Sequence, residues 1–250
     1  MKLNNYKYLA MFLATFVTAN AHAEEAANPL SFDISTGVYS DYMFRGQNLY
    51  DGTLIQPNVG VNYDFGDAGK VSAIFSMYLP GEGDRQAEKF TEIDNTLMYT
   101  LAIDKLTVKA GHVWYSYPDD DDDIKDTSEF FATLAFDDSE VSPFALNPSL
   151  TVYKDYREIE YWYYELGFSH EIATDVLGKG FSTTPYVTFG FASNADVVYE
   201  DDGLEQVTVG TAFNLAAGDL NIVPTVNYTF EVDDNTVNEF WIGTSFAFSL

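Results

Sequence analysis

From residue 31 onward, apolar side chains recur at every second position in one segment after another, and clusters of Gly, Pro, Asn, Asp and Ser separate the segments. A period of two belongs to the β-strand, whose side chains point alternately to opposite faces, and it cannot keep one face of a helix apolar. Reading with this period gives twelve strands, at 31–39, 54–65, 70–79, 92–103, 106–117, 128–136, 143–153, 159–170, 184–193, 204–215, 220–230 and 238–250. In the second, Val59, Val61, Tyr63 and Phe65 oppose Asn58, Gly60, Asn62 and Asp64. In the last, Phe240, Ile242, Thr244, Phe246, Phe248 and Leu250 oppose Trp241, Gly243, Ser245, Ala247 and Ser249. Only Asp104-Lys105 separates the fourth strand from the fifth, which is hairpin spacing. Pro148 interrupts the seventh and marks a bulge or the end of regular pairing there.

The N-terminus predicts export. Lys2 and Lys7 form a basic leader, 8–18 is an apolar core too short to span a bilayer, and Ala21-His22-Ala23 is a small-x-small cleavage site. Residues 1–23 are therefore expected to be a signal peptide and 24–250 one domain. No later run approaches the roughly 18 apolar residues of a transmembrane helix, so any membrane entry is by strands. The chain has 0 Cys, which removes disulfides and thiolate metal sites. Its formal charge of −27 becomes −29 when Lys2 and Lys7 leave. Such a surface repels nucleic acid and attracts cations, while 16% aromatic residues exclude a disordered acidic tail.

An even strand number lets both termini lie at one end. The connections at 66–69, 104–105, 137–142, 171–182 and 216–219 then share that end, and all but 171–182 are short. Those at 40–53, 80–91, 118–127, 154–158, 194–203 and 231–236 share the other and are generally longer. Short periplasmic turns and longer outer loops are the asymmetry of a barrel in a bacterial outer membrane. A soluble barrel would turn its apolar face inward, but twelve strands enclose too wide a space for these side chains to fill. The expected fold is thus all-β, a transmembrane antiparallel barrel, apolar outside and polar inside. Tyr99, Trp114, Trp162, Tyr164, Tyr228 and Trp241 lie near strand ends, where an interfacial aromatic girdle would sit.

On the inward parity lie Asp33, Asp64, Glu92, Asp94, Lys109, Glu129 and Glu165, six acids against one base, a lining that favours cations if water fills it. Tyr78, Tyr115, Tyr153, Tyr161, Tyr163 and Tyr186 share this parity and would narrow the lumen. Asp119, Asp120, Asp121, Asp122 and Asp123 form the densest charge. They lack the Gly-bent spacing of a calcium loop and read as a solvated tip, although cation bridging to lipopolysaccharide phosphate is chemically sensible for the acidic loops. Catalytic signals are thin. His112 shares parity with Val108, Ala110 and Trp114. His170 neighbours Ser169 and Glu171, but adjacent strand residues point apart, so no nucleophile, base and orienting group converge. No metal-ligand spacing and no cofactor loop is found.

Four stretches carry a resemblance. Gly243-x-x-Phe246-x-Phe248, ending at Leu250, resembles the C-terminal assembly signal that the barrel-assembly machinery reads, with Leu in place of the usual final aromatic. Ser40-Asp41-Tyr42-Met43-Phe44-Arg45-Gly46, followed by Asp51-Gly52, resembles the opening of the TorF-type porin family of proteobacterial outer-membrane proteins. Trp114 to Pro118 and Tyr153 to His170 are similar to later elements of that family. The resemblance implies pore formation. Arg45, the single base of the first outer loop, is positioned to fold back onto the acidic lining, with Tyr42 and Phe44 packing the loop. The expectation is a porin-like channel for passive, cation-favouring diffusion of small polar solutes, not an enzyme. The alternative is a non-conducting barrel whose acidic loops meet divalent cations, lipopolysaccharide or a partner.

Overall fold

The computed structural model describes residues 28–81, 92–118, 125–140, 142, 144–173, 181–196, 198–199 and 201–249. The signal segment 1–23, the Asp119 to Asp123 run and Leu250 lie outside them.

Strand formation follows the alternation already seen. In β4 (Leu54–Asp64), Ile55, Val59 and Val61 are exposed on the outside, while Gln56, Gly60 and Asn62 are buried inside. The other spanning strands are β1 (Leu30–Tyr39), β5 (Lys70–Pro80), β6 (Glu92–Ile103), β7 (Leu106–Ser116), β8 (Thr127–Phe136), β9 (Ser149–Asp155), β10 (Trp162–Ser169), β12 (Phe181–Ser193), β13 (Gly203–Ala217), β14 (Leu220–Phe230) and β15 (Glu239–Ser249). Each pairs antiparallel with its sequence neighbour; β10 pairs with β12, and β1 with β15, so the sheet closes into a twelve-stranded barrel. A two-residue β11 (Ile172–Ala173) prolongs β10 along β12. Large apolar side chains such as Phe130, at 56% exposure, and Leu134, at 51%, cover the outside, the arrangement of a barrel solvated by lipid.

β12 and β13 run beyond their expected bounds, β12 starting at Phe181 within the expected 171–182 turn, and the starts of β9 and β10 differ for identifiable reasons. Residues 144–148 are not strand, because Asn147 adopts a left-handed φ of 42° and Pro148 has no N–H for a ladder. Asp138 caps this turn, its carboxylate accepting from the backbone N–H of Leu146 and of Asn147 at 2.9 and 2.8 Å. The alternation of Phe144 and Leu146 reflects two exposed side chains, and the turn is longer than 137–142. At β10, Ile159 and Tyr161 precede the strand in a loop that folds inward.

The Asn147 and Leu146 N–H groups hold the Asp138 carboxyl below its ordinary pKa. The stabilisation this gives the turn is complete above the unfolded carboxylate pKa and is lost as pH falls through the lowered folded value. Asp138→Ala is expected to make 137–148 the first site of limited proteolysis at neutral pH, and wild type to show the same cut only in acid. Equal cutting of both proteins across that range would show that the carboxylate does not hold the turn.

Candidate functional site: the closed outer half of the lumen

Between β1 and β4 the chain forms a small hairpin, β2 (Tyr42–Phe44) and β3 (Gln47–Tyr50), which lies inside the barrel instead of above it. Its tip needs two consecutive left-handed residues, supplied by Arg45 at φ 45° and Gly46 at φ 85°. Gly46 is required for space as well. A Cβ there would stand 2.8 Å from the Glu205 carbonyl oxygen.

Arg45 is 6% exposed and its guanidinium grips Glu129 of β8 through two parallel bonds of 2.8 Å. It also donates to the Tyr161 hydroxyl, and its Cζ lies 4.3 Å from the Tyr163 ring centroid and 4.6 Å from that of Tyr153. The Tyr115 hydroxyl donates to Glu129 at 3.1 Å, and the Tyr199 hydroxyl to the Arg45 carbonyl at 3.0 Å. On the opposite flank, Tyr42 stacks on Tyr78 at 5.0 Å and donates to Glu92 at 2.8 Å. Further bonds run from Gln47 to the Val198 carbonyl and from the Val237 N–H to the Gly46 carbonyl. The hairpin thus reaches β5, β6, β8, β9 and β10 and three of the outer loops, and crosses the lumen from wall to wall.

The residues expected to line the lumen separate by level. Glu92, Asp94 and Glu129 are buried around the hairpin, at 0, 2 and 2% exposure. Glu92 Oε1 and Asp94 Oδ1 have no hydrogen-bond partner among the described residues. Asp33 accepts from Asn62 at 2.6 Å nearer the short turns. Lys109 and Glu165 face the lower lumen half-buried. Lys109 lies four residues down β7 from Val113, the register partner of Glu129, roughly 13 Å along the strand. Asp64 has the inward parity but sits exposed at the rim, where it accepts from the Gly66 N–H at 2.7 Å. It caps a turn and does not line the lumen, a correction to the parity reading. Asp41 belongs to the hairpin's base, accepting from Ser40 and Asn48. Trp241, expected in the girdle, points inward at 5% exposure and donates to Thr229 at 3.2 Å. Its neighbours in parity, Gly243 and Ser245, show why.

The lumen is crowded unevenly. Aromatic side chains fill the β7 to β10 side, whereas β1, β4 and β15 contribute Ser35, Gly37, Gly60, Gly243 and Ser245 beside two rings, Tyr39 and Trp241. At the β1–β15 seam the Tyr39 ring lies on Gly243, its register partner, and a Cβ there would overlap the ring. The motif glycine is therefore the floor on which this tyrosine rests. Phe246 and Phe248 point outward, with Phe248 43% exposed. A cavity of about 10 Å³, room for one water, remains between Tyr39, Asp41, Tyr42, Leu54, Gln56 and Trp241.

Asp155 was not among the sequence candidates. It is fully buried on the inward face of β9 and accepts from the Thr127 hydroxyl at 2.6 Å and from the N–H groups of Arg157, Ile159 and Glu160 at 3.0, 3.3 and 3.2 Å. The expected strand stopped at Tyr153, so Asp155 read as a loop residue; its Asp-x-Arg turn spacing is the signal that could have found it. His112 bonds Tyr156 on the outside at 2.8 Å, and His170 bonds the Ala145 carbonyl at 2.6 Å.

No protein-family model matches the sequence, and no curated protein matches it. Among solved structures, the chain is similar to LpxR from Salmonella typhimurium, with a TM-score of 0.53 and 10% sequence identity over 87% of this chain and 99% of that one. It is also similar to the NanC porin, with a TM-score of 0.50 and 10% identity over 86% of this chain and 97% of that one. At such identities the likeness is one of fold: the chain has the architecture of a bacterial outer-membrane β-barrel.

Proposed function

We propose that the protein is an outer-membrane channel held shut by its own first loop, and that it passes small cationic or polar solutes when the hairpin leaves the lumen. The observation that carries this reading is the hairpin itself, lodged across the outer half with Arg45 clamped to Glu129. Its cation preference follows from charge. A departing hairpin removes Arg45 and leaves Glu92, Asp94 and Glu129 on the walls, so the opened segment is lined by carboxylates alone among the described charged residues of that level. The reading assigns no catalytic residue and no cofactor.

Planar-bilayer recording of the refolded chain under a salt gradient tests it. Wild type is expected to be closed for most of the record, with sparse openings whose reversal potential favours cations, and Glu92→Gln/Asp94→Asn is expected to move that potential toward zero. Anion-selective openings would overturn the proposed lining. A second reading, a barrel that never conducts and acts through its outer loops, draws on the same dense packing around Arg45. Silence of both wild type and a variant lacking residues 42–50, each verified as folded, would decide for it.

A further inference from the structure

Seven described residues are Lys or Arg: Arg45, Lys70, Lys105, Lys109, Lys125, Lys154 and Arg157. Lys70 and Lys105 belong to the short-turn end, and Arg45 and Lys109 face the lumen. The remaining three stand together on the outside at the long-loop end, over β7 to β10. In a chain of charge −27 this clustering is distinctive.

The register shows how the patch is built. His112, Phe130, Lys154 and Trp162 are successive cross-strand partners, forming one outward row just below the loops. Tyr156 stacks on Phe130 at 4.8 Å. Lys154 Nζ lies 5.2 Å over the Trp162 ring, and Arg157 Cζ lies 5.8 Å over that of Trp114. Phe130, Trp114, Tyr156 and Trp162 are 56, 46, 40 and 37% exposed. Among the described residues neither Lys154 nor Arg157 is in an ion pair. Of the two acids in this loop, Glu158 is taken by Lys125 at 2.5 Å and Glu160 is exposed. Lys154 donates one bond, to the Glu160 carbonyl, and an ammonium has two further donors. One register step toward the membrane centre, Ala110, Ala132 and Val152 form a row of smaller side chains beneath the aromatic one, flanked by Tyr99 and Tyr164.

Aromatic rings at an interface, two bases outside any ion pair over them and a row of small apolar side chains below match a phosphorylated lipid, with its phosphate at the bases and its chains below. We propose that this patch binds the phosphate groups of lipid A in the outer leaflet, with Lys154 and Arg157 as the phosphate ligands. The proposal needs the long loops to face outward and does not depend on conduction. It also differs from cation bridging through acidic loops, because the contact is made directly by bases.

Tryptophan fluorescence reports on the site, since Trp114 and Trp162 are two of 3 tryptophans and the third, Trp241, is buried in the lumen. The refolded full chain carrying Trp241→Phe would be titrated in micelles with bis-phosphorylated lipid A and with its dephosphorylated form. Saturable binding of the phosphorylated form is expected, weakened roughly 30-fold by Lys154→Ala/Arg157→Ala, unaffected by EDTA, and unchanged in Lys70→Ala/Lys105→Ala. Retention of binding in Lys154→Arg/Arg157→Lys, with unchanged heat-modifiability on gels, separates a lost ligand from a damaged fold. Equal affinity for the dephosphorylated form, an undiminished double-Ala variant, or loss of binding in EDTA would each overturn the assignment.

Discussion

Arg45→Ala is expected to lower the unfolding free energy by about 3–5 kcal/mol, the usual cost of leaving one member of a buried ion pair uncompensated. Glu129 would keep the Tyr115 bond and lose both guanidinium bonds, at 2% exposure, with Phe44, Tyr153 and Tyr163 also losing the cation they surround. The same change frees the hairpin tip, so open-channel time in a bilayer should rise. Arg45→Lys should recover only part of the stability, because an ammonium cannot make the two parallel bonds. Arg45→Met/Glu129→Leu should recover most of it, since the pair is replaced and no charge is stranded. Urea unfolding of the refolded protein, followed by fluorescence, measures all three. An Arg45→Ala protein as stable as wild type, with unchanged conductance, would remove the clamp from the account.

Asp155→Ala should be nearly as damaging, by roughly 3–5 kcal/mol, because one side-chain acceptor serves the Thr127 hydroxyl and three backbone N–H groups. Asp155→Asn, which keeps one carbonyl oxygen, should lose about half as much. The loop that Asp155 organises carries Tyr156 and Arg157 on the outside and Ile159 and Tyr161 on the inside. The Ala variant is therefore expected to weaken lipid A binding and to loosen Arg45 together, read as new protease cuts within 156–161 and as longer channel openings. Loss of one effect without the other would show that the two faces of this loop are held separately.

The spanning strands were legible because each one solves the same problem, an apolar outer face against a polar inner one, within its own few residues. β6 and β14 match the expected bounds, 92–103 and 220–230. The pattern misleads where apolar residues alternate for another reason. Phe144 and Leu146 imitate strand parity in a turn whose geometry is set by Asp138 and Asn147. Trp241 has the size of a girdle residue, but its parity sends it inward beside Gly243. The candidate site was legible in its members and not in its assembly. Arg45 stood out as a lone base among acids, and Glu129 by parity, yet the two are 84 positions apart and nothing local marks them as partners. Tyr199 and Thr236 come from loops with no periodicity, and their places beside the hairpin follow from barrel closure alone.

The uneven lumen wall has a hydrodynamic consequence. With aromatic bulk on the β7 to β10 side and, on β1, β4 and β15, glycine and serine interrupted by the rings of Tyr39 and Trp241, a path opened by the hairpin's departure would run off the barrel axis, along the seam where the first and last strands meet. Solute entering from the short-turn end would follow that wall to Tyr39 and Trp241 and meet the hairpin at its base, beside Asp41 and Tyr42, before it reached the tip. Selectivity would then be exercised by the small polar groups of one wall instead of by a symmetric ring, and the strand pair that closes the barrel would also be its conduit.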